Sequence, residues 1–154
     1  MNTDATHPLL PIDSERVARA LGDLRLGLPV VLRDGDRRWL ALAAEGLSDE
    51  RLGALRSLGA PYLAITEWRA STLKARSYDG DIARLVLPDD VGADWVGNVA
   101  EPANDLSTPL LGPFTSLRDG DAAAARLAIR LAKAAHLLPA AVVVDAAKGH
   151  PEGF

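Results

Sequence analysis

The chain has 154 residues, 48% of them apolar and 25% charged, with a formal net charge of −4 and a pI near 5.3. That is the composition of one ordinary globular domain with a real core; its scattered basic residues argue against a nucleic-acid interface, and no apolar run reaches the roughly 18–20 residues that span a bilayer. Cysteine is absent, which excludes disulfides, thiolate catalysis and cysteine-ligated zinc.

The opening "MNTDATHPLLPIDSE" has no basic stretch followed by a long apolar one, so no signal peptide is expected and the cytoplasm is the expected compartment. Residues 1–12, with Pro8 and Pro11, read as an N-terminal arm. Asp13 or Ser14 can cap a first helix, whose apolar face is Val17, Ala20, Leu21 and Leu24 and whose stop is Gly27. "LPVVLRDGDRRWLALAAE" (28–45) places two apolar runs around Asp34-Gly35-Asp36, the pattern of a hairpin. Ser48 can cap a second helix carrying Leu52, Leu55 and Leu58, with Gly59 ending it. "PYLAIT" (61–66) reads as a buried strand, "EWRASTLKAR" (67–76) as a short helix and "IARLVLP" (82–88) as another strand.

From 89 to 118, Pro102, Pro109, Gly112 and Pro113 break regular patterns, and a long ordered loop is expected. An alanine-rich helix over about 120–137 should pack closely on its neighbours, and "AAVVVDA" after Pro139 completes the sheet. Alternating strands and helices predict an α/β class: a single-domain sandwich with a mixed β-sheet and packed helices over 13–147, followed by a tail at 148–154.

Few residues carry recognisable chemistry. Asp34 and Asp36 could present two oxygens to Mg²⁺, but Arg33, Arg37 and Arg38 surround them, and a solvated turn explains Asp and Gly equally well. Asp79, Asp81, Asp89, Asp90 and Asp94 lack the spacing of a calcium loop and read as surface charge. The histidines His7, His136 and His150 are far apart in sequence, against a histidine-rich metal site; His136 sits late in the last helix, where its protonated form suits the dipole. Trp39, Trp68 and Trp95 read as core or interface anchors, because no basic patch accompanies them in sequence. "RDGD" occurs at 33–36 and 118–121 and marks a turn each time. Phosphate-loop, dinucleotide, nucleophile-elbow and zinc-protease signatures are absent.

Over about residues 15–145 the chain resembles 3,4-dihydroxy-2-butanone 4-phosphate (DHBP) synthase, a riboflavin-pathway enzyme. The resemblance runs through "ARALGDLRLGLPVVLRDGD", "WLALAAEGLSDERLGALRSLG", "YLAITEWRASTL" and "LAKAAHLLPAAVVV", in that order. In the synthase an acidic loop with an Arg-Glu-Asn-Glu-Gly-Asp core follows the first strand and binds Mg²⁺ and the sugar phosphate. Here that place is Arg33-Asp34-Gly35-Asp36-Arg37-Arg38. The synthase's Gly-His-Thr-Glu motif, set without gaps from "LAKAAHLLPA", falls on Ala123, Ala124, Ala125 and Arg126. Alanine neither ligates a metal nor moves a proton.

A closer resemblance is to the degenerate synthase-like N-terminal region of some bacterial GTP cyclohydrolase II proteins, through "LRLGLPVVLRDG", "AEPANDLSTPLLGPF" and "KAAHLLPAAVVV". It implies a non-catalytic domain, without cofactor, that dimerises and gives structural or regulatory support to a GTP cyclohydrolase II catalytic domain. The cysteine-ligated zinc of that second domain has no possible ligands in these 154 residues. Two alternatives stand beside this reading. One is a divergent synthase acting on ribulose 5-phosphate with Mg²⁺ held by Asp34, Asp36 and Glu45. The other is a phosphate-metabolite or nucleotide sensor using Arg33, Arg37, Arg38 or Arg118, since arginine forks suit phosphate. No membrane or nucleic-acid partner is expected.

Overall fold

A computed structural model describes residues 7–108 and 111–146; the tail expected at 148–154, His150, Pro109 and the first half of the N-terminal arm (1–6) lie outside the described residues. The elements run α1 (Asp13–Arg25), β1 (Val30–Asp34), β2 (Arg37–Ala43), α2 (Asp49–Leu58), β3 (Tyr62–Thr66), α3 (Glu67–Leu73), β4 (Ile82–Val86), α4 (Ala93–Ala100), a 3-10 turn (Pro102–Asn104), α5 (Ala123–Ala134) and β5 (Ala140–Asp145).

The five strands form one sheet in the order β1-β2-β5-β3-β4. Period-two alternation sends successive side chains to opposite faces. On one face Leu40, Leu42, Leu63, Ile65, Leu85, Val142 and Val144 pack under α2, α3 and α4. On the other, Val30, Leu32, Trp39, Ala41, Ala43 and Val143 meet Leu24 of α1 with Ala124 and Ala128 of α5. Ala64 and Ile82 meet Ala125 and Ile129 of α5 beside them. The result is an α/β/α sandwich. Alanine at 124, 125, 128 and 132, each at most 4% exposed, lets α5 lie close on the sheet, as its composition predicts.

The α/β class holds, but the sheet is not mixed: every strand pairing is antiparallel. The reason lies in where β5 goes. β2, α2 and β3 make the strand-helix-strand crossover that alternation predicts, and β2 and β3 do run in the same direction. Their shared gap is filled by β5, antiparallel to both.

Local chemistry explains most element ends. The hairpin closes between Asp34 and Arg37, which pair, leaving Gly35 and Asp36 in the turn; Gly35 has φ +59°, the type II′ arrangement with glycine first. Ser48 caps α2, its hydroxyl accepting the Arg51 N–H at 3.2 Å. The first helix starts one residue earlier than Asp13 or Ser14 would place it. Ile12 occupies the cap position, and its N–H is taken by the Glu15 carboxylate at 3.0 Å.

The expected loop over 89–118 contains α4. Its first N–H, on Ala93, is capped by the Asp49 carboxylate of α2 at 2.7 Å, 44 residues away in sequence. Glycine at 92 leaves room for this cap: a Cβ there would lie 2.7 Å from the same oxygen and would displace the Asp49 carboxylate. At the far end Arg69 of α3 is 6% exposed. Its guanidinium donates to the carbonyls of Val99 (2.7 Å) and Asn98 (3.3 Å) and binds both Asp105 oxygens at 2.7 Å. This bond holds the Asp105 carboxyl below the usual carboxylate range. The polar residues of the "EPANDLST" stretch are thereby placed. Glu101 accepts from the Ala103 N–H, Asn104 donates to the Asn98 side chain, and the Asn104 carbonyl accepts from the Ser107 and Thr108 hydroxyls.

The last helix is shorter than 120–137. It ends in a Schellman motif, with Leu137 N–H on the Ala132 carbonyl (2.9 Å) and His136 N–H on the Lys133 carbonyl (3.0 Å). His136 therefore lies just past the helix, at φ +61°, a conformation that costs a non-glycine residue about 1 kcal/mol. His136→Gly should raise stability by roughly 0.5–1 kcal/mol, part of the gain being offset by glycine's greater freedom when unfolded. A urea midpoint that falls instead would show that the imidazole contributes more than its backbone strain removes.

Candidate functional site

The resemblance places synthase chemistry where the β1–β2 hairpin approaches the start of α5. That region is a polar network on the α1/α5 face of the sheet. Asp121, in the second "RDGD", receives Arg37 from the hairpin at 3.3 Å and accepts the Ala123 N–H at 2.8 Å. Arg37 also stacks on Trp39, its guanidinium carbon 4.6 Å from the ring centroid. Deeper in, Arg84 of β4 binds Asp79 through two bonds of 2.9 and 3.2 Å and donates to the Asp119 carbonyl at 2.9 Å. The side chains of Arg84 and Asp79 are 4% and 8% exposed, so Asp79 is not the surface charge expected from its acidic stretch. Arg126 of α5 binds Asp81 at 2.8 Å and the Asp79 carbonyl. That hydrogen bond holds the Asp81 carboxyl below its ordinary range.

Three carboxylates of the network thus each hold an arginine. Each of these guanidiniums occupies carboxylate oxygens that a metal ion would need as ligands. The positions matching the Gly-His-Thr-Glu motif add no chemistry: Ala124 and Ala125 are 4% and 0% exposed, and Arg126 is engaged as above.

Tyr62 of β3 completes the network. Its hydroxyl is buried without a hydrogen-bond partner among the described residues, and the Arg84 guanidinium lies 5.8 Å from its ring centroid. Burial pushes the phenol up to about 12, against the opposing pull of Arg84. Tyr62→Phe should therefore stabilise the domain by about 1 kcal/mol at pH 7, by removing an unsatisfied buried donor. The pH dependence has a definite sign. The folded pKa exceeds the unfolded one near 10, so this contribution is intact below pH 10 and is lost as pH rises towards 12. Tyr62→Phe should flatten that alkaline loss in chemical-denaturation curves, and an unchanged slope would contradict the assignment.

The other candidates stay dispersed. Asp34 and Asp36 are exposed at the hairpin, at one end of β2. Glu45 lies past the other end, its carboxylate accepting the Leu138 N–H at 3.1 Å. Seven strand residues at about 3.3 Å each separate them by more than ~20 Å. Among the described residues no group of three or more His, Cys, Asp or Glu side chains is arranged to hold a metal ion. Arg33 and Arg38 are cross-strand partners on the face opposite Arg37. Arg118 stacks on Tyr78 at 4.6 Å, at the β4 edge of the sheet. Asp89, Asp90 and Asp94 are exposed.

Sequence reasoning missed Arg84, Tyr62 and Asp121. The only signal was Arg84 itself, a charge inside an otherwise apolar strand pattern.

Comparison with known proteins follows the same lines. No family model matches the sequence. The chain is 30% identical over 144 residues to GTP cyclohydrolase-2 of Azospirillum brasilense, an alignment covering 90% of this chain and 37% of that protein; the chain spans well under half the length of this relative. Among solved structures, DHBP synthase of Candida albicans superposes with a TM-score of 0.60 at 18% identity, over 82% of this chain and 77% of the other. A DHBP synthase in complex with two magnesium ions gives 0.59 at 18%, over 84% and 74%. RibBX, a two-domain DHBP synthase from A. baumannii, gives 0.57 at 17%, over 84% and 47%. The fold is therefore that of the DHBP synthases. Among the described residues no helix is long and apolar enough to cross a membrane.

Proposed function

We propose that this chain, a DHBP synthase-like domain of a riboflavin-biosynthesis protein, is non-catalytic and gives structural or regulatory support to a GTP cyclohydrolase II catalytic domain. The observation that carries the reading is the neutralised network. Where the synthase motif carries its histidine, this chain has alanines packed into the core, and the carboxylates grouped around the start of α5, Asp79, Asp81 and Asp121, are bound to arginines. Burial alone preserves a fold, whereas catalysis needs placed polar groups. The relative in Azospirillum brasilense supports the cyclohydrolase context. A homodimer in the cytoplasm, with no resident cofactor, belongs to the same proposal.

The divergent-synthase alternative gains no support, since Asp34, Asp36 and Glu45 lie at opposite ends of β2. A sensor using Arg33, Arg37, Arg38 or Arg118 gains none either: Arg37 is held by Asp121, Arg118 stacks on Tyr78, and the cross-strand pair Arg33–Arg38 stands apart from both.

Two measurements test the proposal. Purified chain given ribulose 5-phosphate and Mg²⁺ should show no turnover above buffer; a kcat within the ordinary enzyme range of about 1–10³ s⁻¹ would end it. Mixed with a GTP cyclohydrolase II catalytic domain, the chain should co-elute in size exclusion and raise that domain's melting temperature or ring-opening rate. Independent elution with neither effect would remove the supporting role.

A further inference from the structure

Adjoining that network, with which it shares the Arg126–Asp81 pair, the middle and C-terminal part of α5 forms one wall of an open groove of about 530 Å³. Thr66, Glu67 and Trp68 form the facing wall, with Asp81 and Ile82 beside them. Trp68 is 80% exposed, unusual for the side chain with the most apolar surface to hide. Arg126, Arg130 and Lys133 point into the same groove, spaced four and then three residues apart on one helical face. The sequence reading that no basic patch accompanies the tryptophans is thus corrected for Trp68. Its cations come from a helix some sixty residues later, brought alongside by the β3–β4–α5 packing.

The charges are not equivalent. Asp81 is occupied by Arg126 at 2.8 Å, so this pair is locally neutral. Arg130 and Lys133 are exposed and make no side-chain hydrogen bond or ion pair with any described residue. Glu67 is the remaining acid. The groove's three cations and two acids leave it positive by one, on a chain whose net charge is −4.

We infer that this groove binds a nucleoside phosphate, with Trp68 stacking on the base and Arg130 and Lys133 holding the phosphate. An indole face takes any base, because every base offers a π-face. A guanidinium fork and an ammonium are the side chains suited to a phosphate. The groove falls within the 300–1,000 Å³ typical of small-ligand sites. Neither element suffices alone: a free phosphate has nothing to stack, and a neutral nucleoside leaves the cations unsatisfied. The inference is independent of the proposed function, since none of these residues matches a synthase motif except Arg126, which is already paired.

The test uses the purified 154-residue chain and intrinsic fluorescence. Trp39 is buried and Trp95 half-buried against Phe114, so quenching by a stacked base reports on Trp68. AMP should quench emission saturably, and Trp68→Phe should abolish the quench. Adenosine and inorganic phosphate should each bind at least ~10-fold more weakly than AMP when followed by equilibrium dialysis, a difference of about 1.4 kcal/mol. The double variant Arg130→Ala/Lys133→Ala, which alters exposed side chains only, should weaken AMP by ~10-fold or more and remove most of the salt dependence. Absence of saturable quenching at millimolar AMP, or undiminished AMP affinity in the double variant, would overturn the inference. Quenching that grows with protein concentration and no ligand would also overturn it, identifying Trp68 as a self-association contact.

Discussion

Asp79→Ala is expected to destabilise the domain by about 3–5 kcal/mol, the range for removing one partner of a buried ion pair. The substitution leaves the Arg84 guanidinium, 4% exposed, with the Asp119 carbonyl and the Tyr62 ring as its remaining neighbours. At 4% exposure the guanidinium has little access to solvent in place of the lost carboxylate, so most of its desolvation penalty stays uncompensated. Set against a total stability of about 5–15 kcal/mol, the loss is severe. The double variant Asp79→Ala/Arg84→Met should recover most of it, because a buried pair replaced by apolar groups of similar volume is often neutral. Urea denaturation of the two variants and the parent checks both statements. A cost under about 1 kcal/mol for Asp79→Ala would mean the pair behaves as a solvated surface bridge.

Ala124→His should cost about 3 kcal/mol and restore no metal site. The position matches the histidine of the synthase motif, yet here Ala124 is 4% exposed and packs with Trp39, Ala41, Ala128 and Val143. An imidazole would overfill that layer and bury polar nitrogens without partners. Ala123→His, one residue away and exposed, serves as the control and should change stability by no more than about 0.5 kcal/mol. Midpoints in urea with and without Mg²⁺ distinguish the cases. If Ala124→His kept the parental midpoint, or gained stability from Mg²⁺, the space would not be filled and the non-catalytic reading would lose its packing argument.

What was legible in the sequence was what depends on neighbours along the chain. Asp34-Gly35-Asp36 between two apolar runs specifies a hairpin, Ser48 followed by Asp49 and Glu50 specifies a helix start, and alanine every three or four residues specifies a close-packed α5. Failures came where the deciding partner is remote. α4 has apolar positions at Val96, Val99 and Ala100, but its first N–H is capped by Asp49 and its last carbonyls by Arg69, so neither end carries a local signal. The sheet is antiparallel rather than mixed, and nothing in "AAVVVDA" announces that it inserts between β2 and β3. At the candidate site the erased motif was visible as Ala123, Ala124, Ala125 and Arg126. The pairing of Asp79 with Arg84, and of Asp121 with Arg37, was not, because each needs the tertiary fold to bring the charges together. Leu106, 98% exposed, has no structural explanation.

The position of β5 has a consequence for biosynthesis. The strand that comes latest in sequence among the five occupies the middle of the sheet, so β2 and β3 have no hydrogen-bonding partner on their inner edges until Ala140–Asp145 has emerged from the ribosome. A nascent chain lacking those residues exposes two unpaired apolar edges at once, the kind of surface that invites aggregation. Translation arrest before residue 140 should therefore yield a chaperone-bound or insoluble product rather than a smaller stable domain, and the six-residue β5 acts as the latch that closes this sheet.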